Sequence, residues 1–251
     1  MNAGGWGRIA VRGATAFLDF LLPPVCVACD QPVDAPGRLC AACWPAVSFI
    51  TDPRCTCCGL PFELPVGEGA LCGACVAAPP RFTRARAAAR YVGPVRDLIL
   101  RFKHGDRLDL TPALARWLVQ AGGDCLDGAD ALVPVPLHWR RRLGRRYNQS
   151  AELARAVGGL AAVPVLTQAL VRRRATPSQG RLGRLARLRN VAHAFEVPVA
   201  AAVAGKHLVL IDDVMTTGAT VDACARKLLA AGAARVDVLT VARVIHAGEG
   251  S

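Results

Sequence analysis

The chain has 251 residues, of which 53% are hydrophobic and 20% charged, a balance that excludes a disordered chain and leaves room for one or two domains with a sizeable core. Lys+Arg 31 against Asp+Glu 19 gives a net charge of +12, so an anionic partner is expected. Only Lys103, Lys206 and Lys227 are lysines; the remaining positive charge is arginine, which suits planar, bidentate contact with phosphate.

Residues 1–24 scatter Ile9, Val11, Phe17, Leu18, Phe20, Leu21 and Leu22 among Arg8, Arg12 and Asp19. This reads as an amphipathic segment that docks on the body or weakly on a membrane surface. It lacks the unbroken apolar stretch of a signal peptide, and no uncharged run is long enough to span a bilayer. A cytoplasmic protein is expected, with membrane association peripheral at most.

Nine of the 11 cysteines fall between Cys26 and Cys75. Four Cys-x-x-Cys knuckles stand out: Cys26/Cys29 with Cys40/Cys43, and Cys55/Cys58 with Cys72/Cys75. Their spacing suits two zinc ribbons, each holding one structural Zn²⁺ through four thiolates with no open coordination position. A disulfide framework and iron–sulfur ligation are the competing readings of the same cysteines. The knuckles could also pair crosswise. Cys57 is the odd member, and Cys224 is expected to pack on the buried face of a later helix.

From about Pro80 the pattern becomes α/β. Ala85–Tyr91 reads as a strand and Val95–Lys103 as a helix; Thr111–Ala121 reads as a second helix with Thr111 as N-cap and Pro112 at its first position. Phe102 to Asp106 is expected to be a solvated turn, although Lys103 and His104 could reach a ligand. Ala131–Val135 is a short strand running into Pro134-Val135-Pro136-Leu137-His138, where a proline marks the end of the ladder.

Five arginines follow in residues 138–147, before a helix starting near Asn148. Residues 172–189 hold seven more and no acid, and read as a lid-like loop. These twelve arginines match the whole net charge, so the positive field is concentrated in two segments. Ala194–Val197 reads as an edge or lid strand, and Val236–Val244 as the last strand, after a helix closed by Gly232.

The most informative stretch is Leu208–Thr220, LVLIDDVMTTGAT. Leu208 to Ile211 reads as a buried parallel strand, with Asp212 and Asp213 at its carboxyl end, where open α/β sheets place ligands. Thr216, Thr217, Gly218, Ala219 and Thr220 then lead into a helix, offering hydroxyls and backbone N–H groups to a phosphate. Two carboxylates beside that cradle make sense facing sugar hydroxyls or a Mg²⁺. The implied ligand is a sugar phosphate.

This stretch resembles the 5-phosphoribosyl 1-pyrophosphate (PRPP) signature of type I phosphoribosyltransferases. The order LLPPVCVAC, LCAACW, CTCCGLPF and LCGAC, then VPVPLH, RRYNQSAELA, RATPSQGRLGRLARLRNVAHAF and IDDVMTTGAT resembles the ComF family over most of the chain. One departure is Arg146, where the family pattern has glycine. The resemblance implies an α/β, type I phosphoribosyltransferase-like parallel sheet with helices on both faces over residues 80–247, preceded by a Cys-rich double zinc ribbon over 25–79.

It further implies Asp212 and Asp213 on ribose hydroxyls, Thr216 to Thr220 on the 5′-phosphate, and Leu137, His138 and Arg141 on pyrophosphate, with Mg²⁺ accompanying PRPP. Arg140, Arg142, Arg145, Arg146, Arg172, Arg173, Arg174, Arg181 and Arg184 become candidates for single-stranded DNA. The family implies a role in DNA uptake beside a helicase-type partner and a DNA-processing factor. Three functions are compatible: a competence-type DNA-binding protein with a retained PRPP site, an active phosphoribosyltransferase of unknown acceptor, and a non-catalytic PRPP sensor.

Overall fold

The computed structural model describes residues 23–104, 107–137, 147–173 and 194–245. They belong to two compact units, one ending at Ala46 and one beginning at Val47. The amphipathic stretch before residue 23 lies outside the described residues. In the first unit, Cys26 N–H donates to the Gln31 carbonyl and Trp44 N–H to that of Cys40, folding both knuckles into tight turns.

The second unit is built on a four-stranded parallel sheet. Its strands are β1 (Ala85–Arg90), β2 (Ala131–Pro134), β5 (His207–Met215) and β6 (Arg235–Arg243), in the order β1-β6-β5-β2. β3 (Val171–Arg172) and β4 (Phe195–Glu196) form a separate antiparallel pair. Among the described residues the helices are α1 (Gly73–Ala77), α2 (Gly93–His104), α3 (Thr111–Ala121), α4 (Gly123–Leu126), α5 (Gln149–Ala161) and α6 (Ala219–Ala230).

Alternation along the strands sorts the core into two faces. Leu208, Leu210, Val236 and Val238 share a buried cluster with Val221, Cys224 and Leu228 of α6, so Cys224 packs in the core as its helical position suggested. The opposite face takes α3 and α5: Gly122, just after α3, abuts the Leu239 side chain, and Gly158 of α5 sits near Leu132. A Cβ on Gly158 would come within 2.7 Å of the Val163 carbonyl oxygen, so the tight return of the chain over the end of α5 depends on that glycine. Burial on both faces explains the unbroken apolar run from Leu208 to Ile211.

The second ribbon belongs to this same core. Cys55, Cys58, Leu60, Cys72, Cys75 and Phe82 are buried in one cluster with Leu208, Val236 and α6. Gly59, at φ +68°, brings the knuckle so close to β1 that a Cβ would lie 2.5 Å from the Ala85 carbonyl oxygen. Only glycine tolerates both the backbone angle and the contact. Two buried arginines hold the same loop from the sheet. Arg86 donates to the Thr56 carbonyl at 3.1 Å and pairs with Asp124 at 2.7 Å, and Arg243 donates to the Cys58 carbonyl at 2.7 Å. The outer edge of β1 is covered by backbone bonds to Ser48 and Ile50.

Four local expectations change. Phe102, Lys103 and His104, expected in a solvated turn, form the end of α2, with Phe102 fully buried. β5 continues past Ile211 to Met215, because β6 keeps pairing with it through Arg243 while β2 stops opposite Ile211 at Pro134. Thr111 is the first residue of α3 and makes no cap, since a 3₁₀ turn over Leu108–Leu110 runs directly into the helix. The strand expected over 194–197 shortens to Phe195–Glu196, paired with Val171–Arg172, which takes Arg172 out of the loop assigned to it.

Candidate functional site

Four chain segments meet where β2 ends and β5 runs on. Pro134 has no N–H to continue the ladder, and Val135 N–H makes the last bond, to the Ile211 carbonyl at 3.0 Å. Beyond it, Asp212 and Asp213 of β5 face an edge that β2 no longer covers. The start of α5 fills part of the gap. Asn148 caps the helix, accepting from Ser150 N–H at 3.1 Å, and its amide donates to the Val135 carbonyl at 3.3 Å. Gln149 donates to the Lys103 carbonyl at 3.3 Å, tying α5 to the last turn of α2.

These ties bring two further side chains onto the acid pair. Ser150 Oγ donates to Asp212 Oδ1 at 2.9 Å, and Lys103 Nζ pairs with Asp213 Oδ1 at 2.9 Å. Asp213 N–H also donates to Asp212 Oδ1, at 3.0 Å. Burial and the adjacent Asp213 carboxylate push the Asp212 carboxyl up to about 7, against the pull of Lys103. Lys103 is therefore part of the site. Ser150 carried no mark of its own in the sequence; its place two residues after a capping asparagine is the one local sign that it projects from a helix start.

The loop after β5 and the first turn of α6 carry the hydroxyls. Thr216 is exposed, and Thr217, Gly218 and Thr220 are half-buried. Gly218 sits at φ +75° and N-caps α6, with no side chain capping that helix. Its left-handed angle turns the chain from strand to helix, and no side chain satisfies the first N–H groups of α6. Leu137 is half-buried just beyond β2. His138, Arg140, Arg141, Arg142, Arg145, Arg146, Arg174, Arg181 and Arg184 lie outside the described residues. Of the arginine candidates within them, Arg172 lies 5.4 Å over the Phe195 ring and Arg173 pairs with Glu196 at 2.9 Å.

The cysteines form two sets, Cys26/Cys29/Cys40/Cys43 and Cys55/Cys58/Cys72/Cys75, with the four Sγ atoms of each within 4.8 Å of one another. Cys29–Cys40 and Cys58–Cys72 are 3.6 Å apart, close to the edge of about 3.8 Å in a tetrahedron built on Zn–S bonds of about 2.3 Å. Backbone N–H groups of Cys40 and Cys72 donate to Cys26 Sγ and Cys55 Sγ, both at 3.3 Å, as thiolate ligands require. The hydrogen bond from Cys58 pulls the Cys55 thiol down to about 4, against burial and with help from Cys72 N–H. Both sets thus fit tetrahedral zinc, paired in chain order, and Cys57 stays outside them with its carbonyl accepting from Ala85 N–H.

Sheet, acid pair and ribbons together define a class: a phosphoribosyltransferase-type α/β domain joined to a double zinc ribbon. The double zinc ribbon domain model matches residues 17–76 and the phosphoribosyl transferase domain model residues 151–249. Among similar proteins, DNA utilization protein YhgH of Escherichia coli (strain K12) is 35% identical over 237 residues, covering 89% of this chain and 99% of that protein. YhgH of Salmonella typhimurium (strain LT2) is 34% identical over 230 residues with the same coverage. Competence protein F of Haemophilus influenzae is 28% identical over 215 residues, 83% of this chain and 92% of that one. The chain belongs to the ComF family. Among the described residues no helix is long and apolar enough to cross a membrane.

Proposed function

We propose that this protein acts in DNA uptake and utilization in the cytoplasm, binding single-stranded DNA through its arginine-rich segments and holding PRPP, with Mg²⁺, at the end of β5. The carrying observation is the succession there of Asp212, Asp213 and the Thr216–Thr220 segment, which runs from the loop into the first turn of α6. In this reading the carboxylates take ribose hydroxyls or a cation, and the loop and the N-terminus of α6 take the phosphate. Leu137, His138 and Arg141 supply the pyrophosphate side in this reading. Similarity over most of the chain to proteins named for DNA utilization and competence supports the DNA half, as does the concentration of arginine in two segments. Resemblance to the family points to a helicase-type protein and a DNA-processing factor as its protein partners.

The test is fluorescence anisotropy of a labelled single strand, titrated at several salt concentrations with and without Mg²⁺–PRPP. Salt-sensitive binding that PRPP weakens is the expected result. Absence of binding at low salt would overturn the DNA reading. For the pocket, calorimetry with Mg²⁺–PRPP should show binding that is lost in the Asp212→Ala, Asp213→Ala double variant; equal affinity would sink the site assignment.

A further inference from the structure

A cavity of about 90 Å³ opens between the second ribbon and the loop after β5. Thr216, Thr217 and Gly218 line one side, Cys58 and Cys75 the other, and Arg243 contributes the cation. Arg243 is the last residue of β6, paired in register with Met215, and only 8% of it is exposed. Its Nη1 is held by the Cys58 carbonyl. No carboxylate pairs with it among the described residues, and its buried Nε has no hydrogen-bond partner there.

A guanidinium that deep costs free energy unless its charge and donors are met. The cavity wall opposite the Cys58 and Cys75 thiols is made of Thr216, Thr217 and Gly218 at the uncapped start of α6, hydroxyls and backbone that favour an anion. We propose that Arg243 is a direct ligand of a phosphoryl group bound in this cavity, and that the second ribbon, through the Cys58 carbonyl, positions it. The identity of the group as the phosphate of a sugar phosphate rests on the reading of the loop given above. The ribbon then serves as one wall of the ligand site, beyond bracing the fold.

The probe is inorganic phosphate, titrated by calorimetry into the full zinc-loaded chain, with Mg²⁺–PRPP run in parallel. Arg243→Gln should weaken phosphate binding by about tenfold or more, as loss of a charge-assisted contact implies, while zinc content stays that of the wild type. Arg243→Lys, which keeps the charge and loses the fork, should fall between the two.

Unchanged phosphate affinity in Arg243→Gln overturns the proposal, as does an effect confined to zinc retention, which would make Arg243 a counter-charge to the thiolates. No phosphate binding by the wild type overturns it too. Should Arg243→Gln fail to fold, Ala74→Phe at the exposed rim decides: weakened phosphate binding supports the subsite, equal binding removes it. Wild-type PRPP binding that ignores Arg243 would sink this inference and leave the sugar-phosphate reading standing. Arg243-dependent phosphate binding without PRPP binding would do the reverse.

Discussion

Lys103 Nζ lies 2.9 Å from Asp213 Oδ1, with 21% and 13% of the two side chains exposed, so the last turn of α2 is pinned to the open end of the central strand. Removing the cation leaves two neighbouring carboxylates in a partly buried site. Lys103→Met is expected to destabilise the second unit by about 1–3 kcal/mol in chemical denaturation. In an Asp213→Asn background the same change should cost much less, and equal costs in both backgrounds would show that the pair is not coupled.

The Asp212 carboxyl titrates at about 7 in the fold against an ordinary 3.8. An acid raised in this way stabilises the fold in its protonated form; that contribution is complete below about pH 4 and is lost as pH climbs through about 7. Asp212→Asn should therefore match the wild type near pH 4 and exceed it increasingly up to pH 7, with a constant gap above. Denaturant midpoints across that range check the prediction, and a gap independent of pH would contradict it.

The two cysteine sets should differ in what they support. Metal analysis is expected to find about two zinc ions per chain. Cys75→Ser breaks a set buried with Leu208 and Val236, and should lower the melting temperature of the sheet unit. Cys29→Ser breaks a set in the unit that ends at Ala46, and should release one zinc with the sheet unit's transition unchanged. Iron in place of zinc, or none, would overturn the assignment of both sets.

On the DNA side, Arg173 is already paired with Glu196, which reduces what it can offer a phosphate. Glu196→Gln should steepen the dependence of log affinity on log salt by at most about one, the value for a single added phosphate contact. An unchanged slope would place the strand away from the β3–β4 pair.

The sequence made the chemistry of the site legible and left much of its geometry hidden. Leu208–Ile211, the acids and the threonine loop are contiguous, so local pattern sufficed. The end of β5 was not readable locally, because it is set by pairing with β6, more than twenty residues further on. Lys103 and Ser150 reach the acids in a corner tied by the bonds that Gln149 and Asn148 make to α2 and to the end of β2, contacts between segments far apart in the chain. Cysteine spacing identified both ribbons, since the ligands themselves carry that signal. That the second shares the sheet's core depends on Leu60 and Phe82, two apolar residues with no period to reveal which surface they meet.

The contact between Gly59 and the Ala85 carbonyl fixes where the protein can be divided for separate expression. A fragment begun at residue 80 would strip β1 of the knuckle seated on it, bare Phe82, and leave Arg86 and Arg243 without the carbonyls of Thr56 and Cys58. Such a fragment should aggregate. One begun at residue 47 retains every one of these partners, and is the shorter polypeptide on which ligand binding at the end of β5 can be measured in isolation.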